Sequence, residues 1–454
     1  MKLIISFGLL LLIAFFLPLP ESHVALEGLD PVKVRHGLAI FACIAWLWMT
    51  EALPLALTAL LVPIIAAVFK LADVEQSLSS FGAPLIFLFF GGFALATALS
   101  AQGLDLWLAR KLGKLGKGKF VSVSIYLFIG TALLSMWISN TATTAMMMPL
   151  ALGILAQYKT EGAKAHNAHF LLLGLAYSAG IGGLGTMVGS PPNGIAAKQL
   201  GISFSQWLGY GIPAVVVLMP AMIGALYLIL KPTNDVGADI GIAAEKENFL
   251  FTQPRQITLV IFAITALSWI FSAQLGPFFG ISDPDTWIAL MAVVALIVGK
   301  VVSWRQIEQG TDWSVLLLFG GGLALSGILG SSGASQFLAR LLGGAMENWP
   351  LWAILTAVVT FVIFLSELLS NTACTALMVP IFFSMANEFD ISPGKLVLAV
   401  ALAASCACML PVGTPPNAIV FATGRIPQRT MIRVGFALNI LFILLITLLS
   451  LVIF

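Results

Sequence analysis

Apolar runs of about 20 residues, the length that crosses the hydrocarbon core of a bilayer, recur from one end of this chain to the other. "LGYGIPAVVVLMPAMIGALYLIL" (208–230) is one of them. Backbone groups in lipid find no water to bond, so a chain made of such runs folds as packed helices. Composition agrees: of 454 residues 59% are hydrophobic and 9% charged, with mean hydropathy +1.03, whereas a soluble domain carries about a quarter charged residues. The fold class is therefore an all-α polytopic membrane protein. Net charge is only +2 and no basic stripe occurs, so nothing supports a nucleic-acid partner.

The apolar segments fall near 3–20, 36–53, 54–72, 84–102, 120–139, 141–158, 168–200, 207–231, 256–275, 285–302, 313–331, 351–369, 372–388, 395–423 and 430–453. The first could pass for a signal peptide but lacks a clear small-x-small cleavage site; a retained first transmembrane helix is expected. Segment 168–200 contains "GIGGLGTMVGSPPN" and must break, given the freedom of Gly and the missing N–H of Pro. Segments 120–139 and 141–158 are two full spans or one re-entrant hairpin, and so are 351–369 and 372–388.

Basic loops hold "RKLGKLGKGK" (110–119), Lys159 and Lys164, Lys231 and Arg255, Lys300 and Arg305, and Arg425, Arg429 and Arg433; loops 73–83 and 276–284 carry acids without Lys or Arg. By the positive-inside rule the first group is cytoplasmic, which starts the chain inside and ends it outside. Lys33 and Arg35 are the exception.

The chain is duplicated. "LFFGGFALATALSAQGLDLWLARKLG" (88–113) matches "LFGGGLALSGILGSSGASQFLARLLG" (318–343) at half its positions, at an offset of 230. "SNTATTAMMMP" (139–149) returns as "SNTACTALMVP" (370–380), and "VGSPPN" (188–193) as "VGTPPN" (412–417), at offsets of 231 and 224. The expected organisation is 1–35, a first helix and outer loop; 36–231, the first repeat; 232–255, a cytoplasmic linker; and 256–454, the second repeat. Each repeat crosses an odd number of times, so the second lies upside down relative to the first. "RKLGKLGKGK" is basic while its counterpart holds Glu347, in agreement. Inverted repeats with broken helices mark secondary transporters.

Irregular backbone at membrane depth lines a cavity or is buried in protein. The doubled SNT and PPN motifs supply hydroxyls, amides and free backbone groups there. Oxygens of Asn, Ser, Thr and the backbone form a hard, neutral cage suited to Na⁺, and helix N-termini suit an anion. With no Lys or Arg in mid-span, a bound anion would lean on co-bound cations, which implies coupling. The bland reading, Ser and Thr bonding to the preceding turn and Asn packing helices, fits one motif better than a repeat-related pair. Glu367 stands at membrane depth where the first repeat has Met136; it is a proton site or a structural acceptor for backbone donors, and the latter is expected. Glu51 reads as a capping or interface residue. The four cysteines read as small buried hydrophobes, and the four histidines lie in loops or at span edges, which argues against a histidine metal or acid–base site.

At these motifs the chain resembles, over essentially its whole length, the divalent anion/sodium symporter family, the INDY-like dicarboxylate, citrate and sulfate carriers. The resemblance implies about 11 transmembrane helices, a homodimer, a scaffold plus an elevator-type transport domain, and re-entrant hairpins at 120–158 and 351–388. It places sodium site 1 at Ser135, Ser139, Asn140, Gly185 and Gly189, and sodium site 2 at Ser366, Leu369, Asn371 and Gly413. It places the dicarboxylate near Asn140, Thr141, Ser190, Asn371, Thr372, Thr414 and Pro415. Some family members have a serine at Gly180. The implied function is Na⁺-coupled import of succinate, malate or fumarate across a bacterial inner membrane. The alternative is a sodium-independent dicarboxylate or citrate exchanger of the same fold. An intramembrane serine hydrolase using Ser139 or Ser370 lacks an intramembrane His, Lys or Asp to activate the serine, and a passive channel lacks a filter ring.

Overall fold

The computed structural model describes residues 2–19, 24–115, 119–156, 161–234, 250–346 and 348–454. His23, Lys159, Glu347 and linker residues 235–249, all used in the sequence reading, lie outside the described residues, and the side chain of Lys164 does too. No strand occurs among the described residues.

Helix α1 (Lys2–Phe16) precedes the repeats. The first repeat runs α2 (Pro31–Thr50), α3 (Leu55–Val68), α4 (Val74–Ser79), α5 (Pro84–Ala101), α6 (Leu104–Lys114), α7 (Phe120–Ser135), α8 (Asn140–Ala156), α9 (Glu161–Gly183), α10 (Pro191–Leu200) and α11 (Phe204–Leu230). The second runs α12 (Gln253–Ile270), α13 (Ser272–Phe279), α14 (Pro284–Val298), α15 (Trp304–Gly310), α16 (Trp313–Ser331), α17 (Ala334–Met346), α18 (Leu351–Ser366), α19 (Asn371–Glu388), α20 (Pro393–Ala404), α21 (Pro415–Phe421) and α22 (Gln428–Val452). With α13 set aside, the two lists correspond one to one. Their packing corresponds as well: α3 lies on α16 as α14 lies on α5, and α10 lies on α19 as α21 lies on α8. Pairs that exchange when the repeats exchange are the signature of a two-fold pseudo-axis, and the fold is a pair of inverted repeats.

Local chemistry sets the ends. α2 starts five residues before its apolar stretch because Asp30 Oδ1 accepts from Val32 N (2.9 Å) and Lys33 N (3.3 Å), with Pro31 at the first helical position. Glu51 closes α2 in the left-handed region (φ 46°). Where the sequence suggested a single span at 256–275 followed by a loop, the chain instead bends by 85° between α12 and α13. The bent piece exposes Phe278 and Phe279, as a helix lying along a membrane surface can, since it needs no full apolar run.

Both breaks expected at the PPN motifs are present, between α9 and α10 and between α20 and α21. The helix pairs expected at 120–158 and 351–388 are present too. α7, α8, α18 and α19 have 16, 17, 16 and 18 residues, which at 1.5 Å per residue gives about 24–27 Å, short of a hydrocarbon core of ~30 Å. Each pair turns over four residues, 136–139 and 367–370, at a tip packed inside the protein: Ser135, Ile138, Ser366, Glu367 and Leu369 are buried. By length and apolarity alone, only five helices among the described residues qualify as spans, or six with the bent pair. The apolar helices α1, α3, α7, α8, α14, α18 and α20 are shorter than that test requires.

Candidate functional site

The first half-site forms where the α7–α8 tip meets the α9–α10 break. Ser135 Oγ lies 2.6 Å from Asn140 Oδ1 and 2.7 Å from the Ala179 carbonyl. The hydroxyl has one proton to donate and two oxygen acceptors within reach. Close approach of the chain explains the glycines. A Cβ on Gly189 would sit 2.6 Å from the Gly183 carbonyl, 2.9 Å from that of Met136 and 3.0 Å from that of Ser135, and one on Gly183 would collide with Asn140 Oδ1. Three carbonyls and an amide oxygen thus turn toward one small volume.

Two side chains outside the expected set hold this arrangement. Asn193 Nδ2 donates to the Gly183 carbonyl (2.8 Å) and the Thr186 carbonyl (2.7 Å), bracing the break from inside α10. The Thr186 hydroxyl donates to the Met136 carbonyl and accepts from Gly189 N (3.1 Å), tying hairpin tip to break.

The second half-site repeats the first. Ser366 Oγ lies 3.0 Å from Asn371 Oδ1 and 2.6 Å from the Ala404 carbonyl. Thr144 and Thr375 each donate to the carbonyl of their own motif asparagine, both at 2.8 Å. Asn417 Nδ2 reaches the Ala407 (3.2 Å) and Leu410 (3.1 Å) carbonyls as Asn193 does in the first repeat. Two linked substitutions separate them, Leu410 for Thr186 and Glu367 for Met136. Leu410 stands where Thr186 does and cannot tie tip to break, and the tie comes from Glu367. Its carboxylate accepts from Cys408 N (2.8 Å), Met409 N (2.8 Å), Leu410 N (3.0 Å) and Asn439 Nδ2 (2.8 Å). The expectation of a structural acceptor for backbone donors is met.

The two breaks touch. The Tyr177 hydroxyl on α9 donates to the Cys408 carbonyl at 2.8 Å, and a Cβ on Gly180 would lie 3.5 Å from the Ser405 carbonyl. Asn140 and Asn371 are half-buried, Thr372 and Ser190 buried, Thr414 half-buried, and Thr141 and Pro415 exposed. Ser190 precedes α10 without making a capping bond. α8 and α10 begin at the first half-site and α19 at the second, each presenting the positive end of its dipole there.

Not every expected residue joins the clusters. Gly185 packs against the Met136 side chain and α11 rather than against Ser135 or Asn140. Ser139 and Ser370 serve as helix caps, accepting from Ala142 N (3.3 Å) and Ala373 N (3.2 Å). Gly183, Thr186, Asn193, Asn417 and Asn439 were not anticipated. Asn193 and Asn417 stood in plain view as the last letter of each PPN motif; nothing in the sequence pointed to Asn439.

Inverted repeats, paired hairpins and paired broken helices around one polar centre define a membrane carrier, a transport protein and not an enzyme. The chain belongs to the citrate transporter family, whose model matches residues 45–390 and 352–454. It is 48% identical over 417 residues to an uncharacterized transporter of Haemophilus influenzae, covering 90% of this chain and 89% of the other. It is 34% identical over 440 residues to the sodium-dependent dicarboxylate transporter SdcS of Staphylococcus saprophyticus, covering 90% and 84%. These matches bear out the resemblance to divalent anion/sodium symporters. Among solved structures, the YdaH transporter of Alcanivorax borkumensis, described as having an unusual topology, is similar in fold, with a TM-score of 0.55, 14% identity, and coverage of 83% and 86%.

Proposed function

We propose that this protein is a sodium-coupled symporter of C4 dicarboxylates such as succinate, malate or fumarate. The observation that carries the reading is the pair of oxygen clusters, Ser135–Asn140–Ala179 and Ser366–Asn371–Ala404. Neutral hard oxygens gathered in this way suit Na⁺. The first cation is held by Ser135, Asn140 and Gly189 with Gly183, and Ser139 and Gly185 lie at its edge. The second is held by Ser366, Leu369, Asn371 and Gly413. The dianion lies between them, near Thr141, Ser190, Thr372, Thr414 and Pro415. Its charge is met by the helix N-termini and the two cations, so substrate and sodium bind together. The name of the 34% identical relative supports the same substrate and ion. The family's description as citrate transporters favours citrate as a second substrate.

In this reading the protein is a homodimer in the bacterial inner membrane, N-terminus in the cytoplasm and C-terminus outside, moving its site by an elevator-type motion. Labelled succinate uptake into proteoliposomes tests the reading. A sodium gradient is expected to drive uptake and a potassium gradient is not. Equal uptake in the two salts sinks the coupling, and brisk exchange from preloaded vesicles without net uptake makes the protein an exchanger. Excess unlabelled citrate shows whether it shares the site. Asn140→Ala and Asn371→Ala are each expected to abolish uptake while the purified protein keeps its helical circular dichroism; normal uptake by either displaces the site.

A further inference from the structure

We propose that Glu367 is a positioning residue that makes the second cation half-site the tighter of the two. The inference rests on the sodium-coupled reading and deepens it.

The observation is an asymmetry between repeats whose remaining site chemistry is matched. Glu367 is buried, 3% exposed, and holds three successive backbone N–H groups of the break, those of Cys408, Met409 and Leu410. All four of its partners are donors, which suits a carboxylate. A fifth neighbour places it against the cation position: a Cβ on Gly413 would lie 3.0 Å from Glu367 Oε2 and 3.4 Å from the Leu410 carbonyl. Glu367 also follows Ser366 directly. The first half-site has Met136 at this position, and its tie is the neutral Thr186 hydroxyl.

Two consequences follow. By drawing the three N–H groups to itself, the carboxylate fixes the peptide planes of the break, and with them the carbonyls that Asn417 braces from the other side. Its charge, in a setting with little water to screen it, attracts a cation at the second half-site. A neutral tie does neither. The two cations are therefore bound unequally.

The test is the sodium dependence of succinate uptake in wild type and in Glu367→Gln, which keeps the size of the side chain and removes its charge. The half-saturating sodium concentration is expected to rise by about tenfold or more, while KM for succinate at saturating sodium stays within about threefold. A merely architectural role would lower the maximal rate and move both constants together, or move neither, and either result overturns the proposal. Asn439→Leu removes a donor from behind the carboxylate and keeps the charge. It is expected to shift sodium affinity in the same direction by a smaller factor, through the carbonyl positions alone. If Glu367→Gln fails to fold, Glu367→Met, the residue the first repeat carries, removes the charge and is read in the same way. Wild-type uptake indifferent to sodium would remove the coupled reading itself. Sodium-dependent wild type with an unshifted variant removes only this proposal.

Discussion

The two hairpin tips carry the same Ser-Asn-Thr and are held in different ways. At the first, Trp137 is packed among aromatic rings: Phe262 at 5.0 Å edge-on, and Phe204 and Trp269 each stacked at 6.3 Å between centroids. Phe204 opens α11 and the other two belong to α12, so this tip is fastened to the opposite repeat. At the second, the equivalent residue is Leu368, 62% exposed. Below the tips the contrast reverses. The second tip is bound to its break by a buried carboxylate with four donors, the first by a single threonine hydroxyl. Duplicated sequence thus fixes the motif oxygens twice, and divergence falls on what holds them. One tip is anchored outward to its surroundings, the other inward to its own broken helix.

The sharpest way to break this comparison is at the glycines. Gly189→Ala drives a methyl into three carbonyls, whereas Gly413→Ala meets its nearest atom, Glu367 Oε2, at 3.0 Å. Gly189→Ala is expected to abolish sodium-driven uptake and to destabilise by about 1–3 kcal/mol, with a smaller loss of both for Gly413→Ala. Equal losses, read by uptake and by thermal unfolding in detergent, would mean that the two glycines are equally closely packed. Next come the tips. Trp137→Ala removes aromatic contacts each worth about 0.5–1.5 kcal/mol beyond the area they bury, while Leu368→Ala is expected to change stability by no more than about 0.5 kcal/mol. A similar fall in unfolding temperature for both variants would end the distinction between fastened and open tips. The smallest effect is expected at the contact between breaks. Tyr177→Phe removes one hydrogen bond, about 1 kcal/mol, and a loss above that would show the Cys408 carbonyl to be a more strained part of the site than its 2.8 Å bond suggests.

Much of this was legible without coordinates. The repeat and the breaks at both PPN motifs follow from motif order and spacing, because Gly and Pro act on the backbone locally and duplication preserves what acts locally. The hairpin pairs were left open against two full spans by spacing and charge, and only the family resemblance implied them. Ser135 and Ser366 could be matched to Asn140 and Asn371 because each pair is five residues apart across a single turn. The bent α13 was missed because apolar length says nothing about direction once a helix leaves the core.

The sequence by itself determined the membrane class, the duplicated architecture and the polar letters placed at its centre, since hydrophobicity, helix length and backbone permission are properties of short segments. Only the tertiary structure decided which of those letters face one another. Asn439 comes to Glu367 from 72 positions away, Tyr177 reaches Cys408 from the other repeat, and Asn193 turns back to brace the break it follows. Such contacts depend on how separate helices pack, and helix packing leaves no period in the chain to be read.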